Sequence, residues 1–285
     1  MHTVYLNGDY LPMHEAKISP MDRGFLFGDG IYEVIPSYDG RLVGFGPHLE
    51  RMRNGLAALE LEFELDESAW RAIATELIQR NGGGNLAVYI HISRGADSKR
   101  HHAYPLGLSP TVYAFAYEIP PPPAADKALA TTYSVSTAED MRWKRCNIKS
   151  TALLGNIMHY QHGVARGDAE TILYNADREI TEAAACNVYV VKDGVVATPP
   201  LDHQILPGIT RQLVLEILRR DGTIPIEERV VMLDELFNAD EVWLSSSSKD
   251  IAPVVQIDGK PVADGKVGDV WLAAQTLYRA HKFDF

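Results

Sequence analysis

Four consecutive prolines, Pro120-Pro121-Pro122-Pro123, interrupt this chain of 285 residues. Proline lacks an N–H and has a locked φ, so such a run joins neither a helix nor a central strand and forms a stiff extended connector. It predicts an N-terminal domain over 1–118, a linker over 119–127 and a C-terminal domain over 128–285. Each of the two domains is long enough to bury a core of its own.

Before the prolines, Val4-Tyr5-Leu6 and then Asn7-Gly8 predict a strand entering a tight hairpin, and Ile31–Ile35 with Asp39-Gly40 predicts a second one. Pro47 opens a helix through Glu60, with Leu49, Met52, Leu56 and Leu59 at helical spacing. Asp66 can cap a helix over 67–80 that carries Trp70, Ile73, Leu77 and Ile78 on one face, and Gly82-Gly83-Gly84 ends it. Leu86–Ser93 and Thr111–Glu118 form a strand pair across a polar loop.

After the prolines, strands are expected near 129–136, 170–174, 187–192 (turning at Asp193-Gly194), 225–230, 241–245 and 253–257. Helices are expected over 151–166, 210–220 and 268–281, the first beginning at Ser150. The fold class is α/β of the α+β kind, two units of β-meander with inserted helices, without the regular βαβ alternation of a doubly wound sheet.

A net charge of -11 argues against nucleic acid as a main partner, although a local basic pocket could still take a small anion. Cys146 and Cys186 have neither metal spacing nor a disulfide framework, which points to a reducing, cytoplasmic setting. No leader-like start and no membrane-length apolar run is visible.

Five features can carry chemistry. Lys149, in Arg145-Cys146-Asn147-Ile148-Lys149-Ser150, precedes small and apolar residues; desolvation there would turn an ammonium into a nucleophilic amine, although most lysines are exposed charges. Leu206-Pro207-Gly208-Ile209-Thr210-Arg211 sets a turn before a helix, whose free N–H groups and Thr210 hydroxyl suit an anion; a plain Thr cap is the simpler reading. Ser245-Ser246-Ser247-Ser248 at a strand end suits a phosphate or is a solvated loop. Glu182 precedes Ala183-Ala184-Ala185-Cys186, where small residues permit close approach; the alternative is a surface carboxylate. Arg94, Lys99, Arg100, His101 and His102 could receive a substrate carboxylate or form a solvated loop. His159 and His162 lack a third metal ligand and read as ordinary helix residues. Together these supply an amine, an anion site, a carboxylate and a carboxylate receptor, the inventory of pyridoxal phosphate chemistry on an amino acid.

The same stretches resemble fold type IV pyridoxal-phosphate enzymes, the family of D-amino-acid and branched-chain aminotransferases. The resemblance rests on Asp22-Arg23-Gly24-Phe25-Leu26-Phe27-Gly28-Asp29-Gly30-Ile31-Tyr32-Glu33, His48-Leu49-Glu50-Arg51, Cys146–Lys149, Thr181-Glu182, Leu206–Arg211 and Ser245–Ser248 with Ile251-Ala252-Pro253-Val254. It implies a smaller N-terminal α/β domain and a larger C-terminal pseudo-barrel α/β domain. It implies that Lys149 is the Schiff-base lysine and proton shuttle, that Glu182 pairs with the pyridine nitrogen, and that Leu206 lies against the ring. Arg51, Ile209, Thr210, Ser246 and Ser247 would hold the phosphate. Arg100-His101-His102 fits the Arg-x-His mark of the D-amino-acid enzymes, which implies that Arg100 and His102, with Tyr32, bind the substrate carboxylate. In that family the loop reaches the partner subunit's site, so a homodimer acting on amino acids and 2-oxo acids is implied.

Four departures bear on substrate preference: a longer Arg94–Arg100 loop, Pro36 in place of a basic residue, Ala183–Cys186 in place of Gly and serines, and Ala152 in place of Asn. The rival readings are a branched-chain L-aminotransferase, an aminodeoxychorismate lyase and a non-catalytic binding protein.

Overall fold

The computed structural model describes residues 2–285, which cluster into two compact units. The first comprises residues up to Pro121 together with Ile148–Leu153 and Phe285; the second comprises Pro122–Asn147 and Leu154–Asp284.

The first unit contains β1 (Thr3–Leu6), β2 (Asp9–Pro12), α1 (Arg23–Phe27), β3 (Gly30–Tyr38), β4 (Arg41–Leu42), α2 (Phe45–Ala58), α3 (Glu67–Arg80), β5 (Asn85–Ser93) and β6 (Thr111–Glu118). Its strands form one antiparallel sheet in the order β2-β1-β6-β5-β3-β4. The Asn7-Gly8 and Asp39-Gly40 hairpins occur as expected, with positive φ at all four residues. Strand alternation sends Ile31, Ile35, Val88, Ile90, Ile92 and Ala114 to one face, against Leu49, Met52 and Leu56 of α2 and Trp70, Ile73 and Leu77 of α3. Burying one such side chain is worth about 1.5–3 kcal/mol. Asp66 caps α3, accepting from the Ala69 N–H at 2.8 Å.

The second unit contains β7 (Tyr133–Glu139), α4 (Leu154–Val164), β8 (Glu170–Tyr174), β9 (Ile180–Ala183), β10 (Asn187–Lys192), β11 (Val195–Thr198), α5 (Ile209–Asp221), β12 (Ile226–Glu228), α6 (Leu233–Phe237), β13 (Glu241–Ser246), β14 (Asp250–Ile257), β15 (Lys260–Pro261) and α7 (Asp269–His281). Among the described residues its sheet is nine-stranded and mixed, ordered β12-β11-β10-β13-β14-β7-β8-β9, with β15 beside β14. Helices α5 and α7 pack on each other and on β13. The α/β class with two separate sheets agrees with the sequence expectation.

Two expectations need correction. The helix expected from Ser150 starts at Leu154, because the backbone before it pairs with β3: Tyr32 N–H donates to Lys149 O at 3.0 Å and Thr151 N–H to Gly30 O at 2.9 Å. The serine run does not simply follow a strand, since Ser245 and Ser246 are its last residues and Ser247 and Ser248 turn into β14.

Candidate active site

Lys149 lies in the segment that joins the first unit. Ser150 bridges Ile31, Ile148 enters the first core, and Ala152 packs so closely on Gly28 that a Cβ there would meet its Cα at 2.9 Å. Gly28 also has a φ of +68°, so no other residue suits the position. The Lys149 ammonium is half-buried, 4.1 Å from the centroid of the Tyr32 ring, and among the described residues no carboxylate forms an ion pair with it.

On the opposite face of β3 from Tyr32, Glu33 is buried. Arg51 grips it through Nε and Nη2, each at 2.7 Å, and His48 Nδ1 is also 2.7 Å away. Burial opposes the Glu33 charge, but Arg51 and His48 hold its carboxyl well below the usual range. The Arg94–Tyr104 cluster divides in two. Arg94 is buried and bound to Asp29, and is not part of a solvated basic patch; Lys99, Arg100, His101 and His102 are exposed. Arg100 stands 5.1 Å over the Phe27 ring, and the rings of Phe27 and His102 are 5.7 Å apart.

In the second unit Glu182 ends up buried on β9, not on a strand surface. It accepts from Arg142 Nη1 at 2.6 Å, from the Leu206 N–H at 3.1 Å and from Asn187 Nδ2 at 3.4 Å. Burial pushes its carboxyl up to about 7, against the pull of Arg142. Arg142 also binds Asp140, which accepts in turn from the Thr181 hydroxyl at 2.9 Å. Sequence reasoning missed Arg142; the spacing Asp140-x-Arg142 is the only local sign of the pairing.

Leu206 leads into α5, whose cap is Gly208 and not Thr210; no side chain caps the helix. A Cβ at Gly208 would meet Asn187 Oδ1 at 2.0 Å, so Asn187 braces both this turn and Glu182. Ile209 and Thr210 therefore begin a helix with free N–H groups, the arrangement that receives an anion. At the end of β13 the Ser246 Oγ is buried without a hydrogen-bond partner, and Ser247 follows in the turn. A buried ion pair, Lys282 to Asp250 at 2.8 Å, fixes the far side of that turn. An uncapped helix start and an orphaned hydroxyl within one unit fit a phosphate group. Nearby, Lys249 Nζ lies 3.7 Å from Cys186 Sγ, and burial pushes the Cys186 thiol up to about 12, so it is inert at neutral pH. No cluster of potential metal ligands exists among the described residues, and His159 accepts from the Met141 N–H at 3.1 Å.

The first unit thus carries Tyr32, Arg51, Arg100, His102 and Lys149; the second carries Glu182, Leu206, Ile209, Thr210, Ser246 and Ser247. The amino-transferase class IV family model matches residues 30–257, spanning all of these residues. The chain belongs to the class IV aminotransferase family. Among class IV aminotransferase relatives, the chain is 39% identical to the D-alanine aminotransferase of Staphylococcus haemolyticus over 95% of its length and 94% of the relative. It is 35% identical to that of Listeria innocua, over 94% and 91%. Its fold is that of the branched-chain amino acid aminotransferase of Escherichia coli, with a TM-score of 0.89 at 23% identity, covering 98% of this chain and 93% of that one. The branched-chain enzyme of Thermoproteus uzoniensis gives a TM-score of 0.85 at 25% identity, covering 99% and 95%. The class IV fold therefore accounts for the two-sheet architecture described above.

Proposed function

We propose that this class IV aminotransferase is a pyridoxal phosphate-dependent D-amino-acid aminotransferase, moving the amino group of D-alanine- or D-glutamate-type donors to a 2-oxo acid such as 2-oxoglutarate by a ping-pong cycle. The observation that carries the reading is Lys149: a half-buried residue with its amine on the face of Tyr32, anchored to β3 by main-chain bonds at its own carbonyl and at Thr151, and paired with no carboxylate among the described residues. The full-length likeness to D-alanine aminotransferases supports the choice of donor.

When bound, pyridoxal phosphate supplies an electrophilic carbon for the amine and a protonated ring that withdraws electrons from the substrate Cα. Lys149 would hold the cofactor through its amine and would move a proton to and from the substrate Cα. Glu182, with Arg142 and Asn187 holding its two oxygens in place, would keep the ring nitrogen protonated. By the resemblance, Arg51, the N–H groups of Ile209 and Thr210, and Ser246 and Ser247 would hold the phosphate, and Leu206 would lie against the ring. Tyr32, with Arg100 and His102 from the loop of a second copy, would receive the substrate carboxylate, and this would fix which face of Cα meets the lysine.

We also assign the protein as a cytoplasmic homodimer. Leu154, Ile157 and Met158 make one face of α4 and are 71%, 60% and 67% exposed, with Met141 at 78% beside them. A second copy of the chain would cover that face. Both thiols are free, in keeping with a reducing compartment, and no helix among the described residues is long and apolar enough to cross a membrane.

Replacing Lys149 by Ala tests the assignment. The variant is expected to lose the visible absorbance of lysine-bound cofactor and at least about 10²-fold in transamination rate. Retained absorbance with retained turnover would refute it.

A further inference from the structure

The residues that would receive the substrate carboxylate ride on a loop with almost no packing of its own. Between the ends of β5 and β6 the chain has no helix or strand, Leu106 is 95% exposed and Tyr104 is 39% exposed. A cavity of about 510 Å³ lies under it, lined by Arg23, Asp29, Glu60, Arg94, His102 and Tyr104 among others. Within one chain, Arg100 and His102 have only the Phe27 ring beside them, so apolar burial contributes little to their position.

A charged lattice holds the loop instead. Arg23 donates from Nη1 to His101 O at 2.7 Å and from Nη2 to His102 O at 3.0 Å. Its Nε donates to Asp29 Oδ2 at 2.8 Å. The same carboxylate receives Arg94 through Nε at 2.8 Å and Nη2 at 3.0 Å. Arg94 spends its other hydrogens on the carbonyls that end α2, Leu59 O at 2.7 Å and Glu60 O at 3.1 Å. The Tyr104 ring covers the Arg94 guanidinium at 3.8 Å, and its hydroxyl donates to Glu60 Oε2 at 2.7 Å. Arg23 and Arg94 are only 3% and 7% exposed. The neck of the loop is pinched where Gly95, at φ +95°, passes Ser109 so closely that a Cβ would meet its carbonyl oxygen at 2.0 Å.

Burying two guanidinium groups around one carboxylate is a poor way to add stability, because desolvation offsets much of the attraction. It is a good way to fix geometry. The planar fork of Arg23 meets two successive carbonyls from two nitrogens while its Nε holds Asp29, a span that the single nitrogen of an ammonium does not reproduce. Those carbonyls belong to His101 and His102, so the fork grips the main chain next to Arg100 and beneath the His102 side chain.

We propose that Arg23, Asp29 and Arg94 form a positioning clamp that sets the placement of Arg100 and His102, and thereby the affinity for the substrate carboxylate and the preference for D- over L-substrates. The inference rests on the D-amino-acid aminotransferase reading for its consequence in catalysis, but not for its consequence in loop order.

The cofactor-loaded protein and its Arg23→Lys variant test it by two readouts, amide hydrogen exchange over residues 97–105 and steady-state kinetics with D- and L-alanine. The expected result is exchange in 97–105 faster by about tenfold and KM for D-alanine raised by about tenfold or more, with a reduced D-over-L ratio. The turnover number should stay within about threefold and the cofactor absorbance should be unchanged. Unchanged exchange together with unchanged KM overturns the clamp. So does a KM rise matched by loss of cofactor absorbance, which marks general damage. The exposed variant Tyr104→Ala keeps the question open to measurement should Arg23→Lys not fold: faster exchange in 97–105 supports the clamp, and exchange equal to the parent contradicts it. If the parent protein fails to transaminate D-alanine, the catalytic reading falls, and the exchange comparison alone decides the clamp.

Discussion

His48 sits wholly inside the first unit, against Glu33 and within 3.5 Å of Arg51. Burial, first, then the nearby positive charges of Arg51 and Lys149, lower its pKa, and the pull of Glu33 does not restore it. The folded state thus holds His48 neutral in a range where the unfolded chain, with a value near 6.5, takes up a proton. More protons on the unfolded chain mean that stability is full above pH 6.5 and declines as pH falls below it. Glu33 adds its own loss only below the ordinary carboxylate range, since its carboxyl is depressed. Between pH 7.5 and 5.5 the urea midpoint of the parent should therefore drop more than that of His48→Gln; parallel drops would contradict the buried neutral imidazole. None of this was legible locally. Glu33 reads as one position of an alternating strand, and its two partners lie 15 and 18 residues away. Lys149 and Glu182 are candidates by their neighbours and take roles only through the resemblance, whereas Arg142 and Asp29 stand out only through the charges that folding brings to them.

At the scale of elements, α7 shows how a helix start is supplied from elsewhere in the chain. Its cap, Gly268, has no side chain, and a Cβ there would fall 1.8 Å from Glu241 Oε1. Glu241, on β13, accepts from the N–H groups of Val270 at 2.9 Å and Trp271 at 2.8 Å and from the Trp243 indole at 2.9 Å. Removing it orphans three donors, two of them on the buried residues Trp243 and Trp271, so Glu241→Ala should lower unfolding stability by about 3 kcal/mol in urea titration. A loss under about 0.5 kcal/mol would show that the carboxylate is dispensable. The helix over 268–281 was nonetheless readable, as was α3 with its Asp66 cap, because apolar spacing and turn residues are local. The short strands β9 and β11 were not, since small residues such as Ala183 and Ala197 carry little strand preference and pair only because the sheet is there. The late start of α4 was hidden for the same reason, its first expected turn being diverted to β3.

For the molecule as a whole, the exposed face of α4 and Lys149 make separate claims. If a second copy covers Leu154, Ile157 and Met158, then Ile157→Asp should convert the protein from dimer to monomer in sedimentation, while an undisturbed sedimentation coefficient would remove α4 from the interface. The central claim is stereochemical amino transfer at Lys149, and a single-turnover experiment reaches it most directly. Cofactor-loaded protein is mixed in turn with D-alanine and L-alanine, without an acceptor, and the absorbance of lysine-bound cofactor is followed with pyruvate release. The account predicts complete loss of that absorbance with one pyruvate per site for D-alanine, and a rate at least about 10²-fold slower for L-alanine. Equal or faster conversion of L-alanine, or continuous pyruvate release with the absorbance intact, would contradict it.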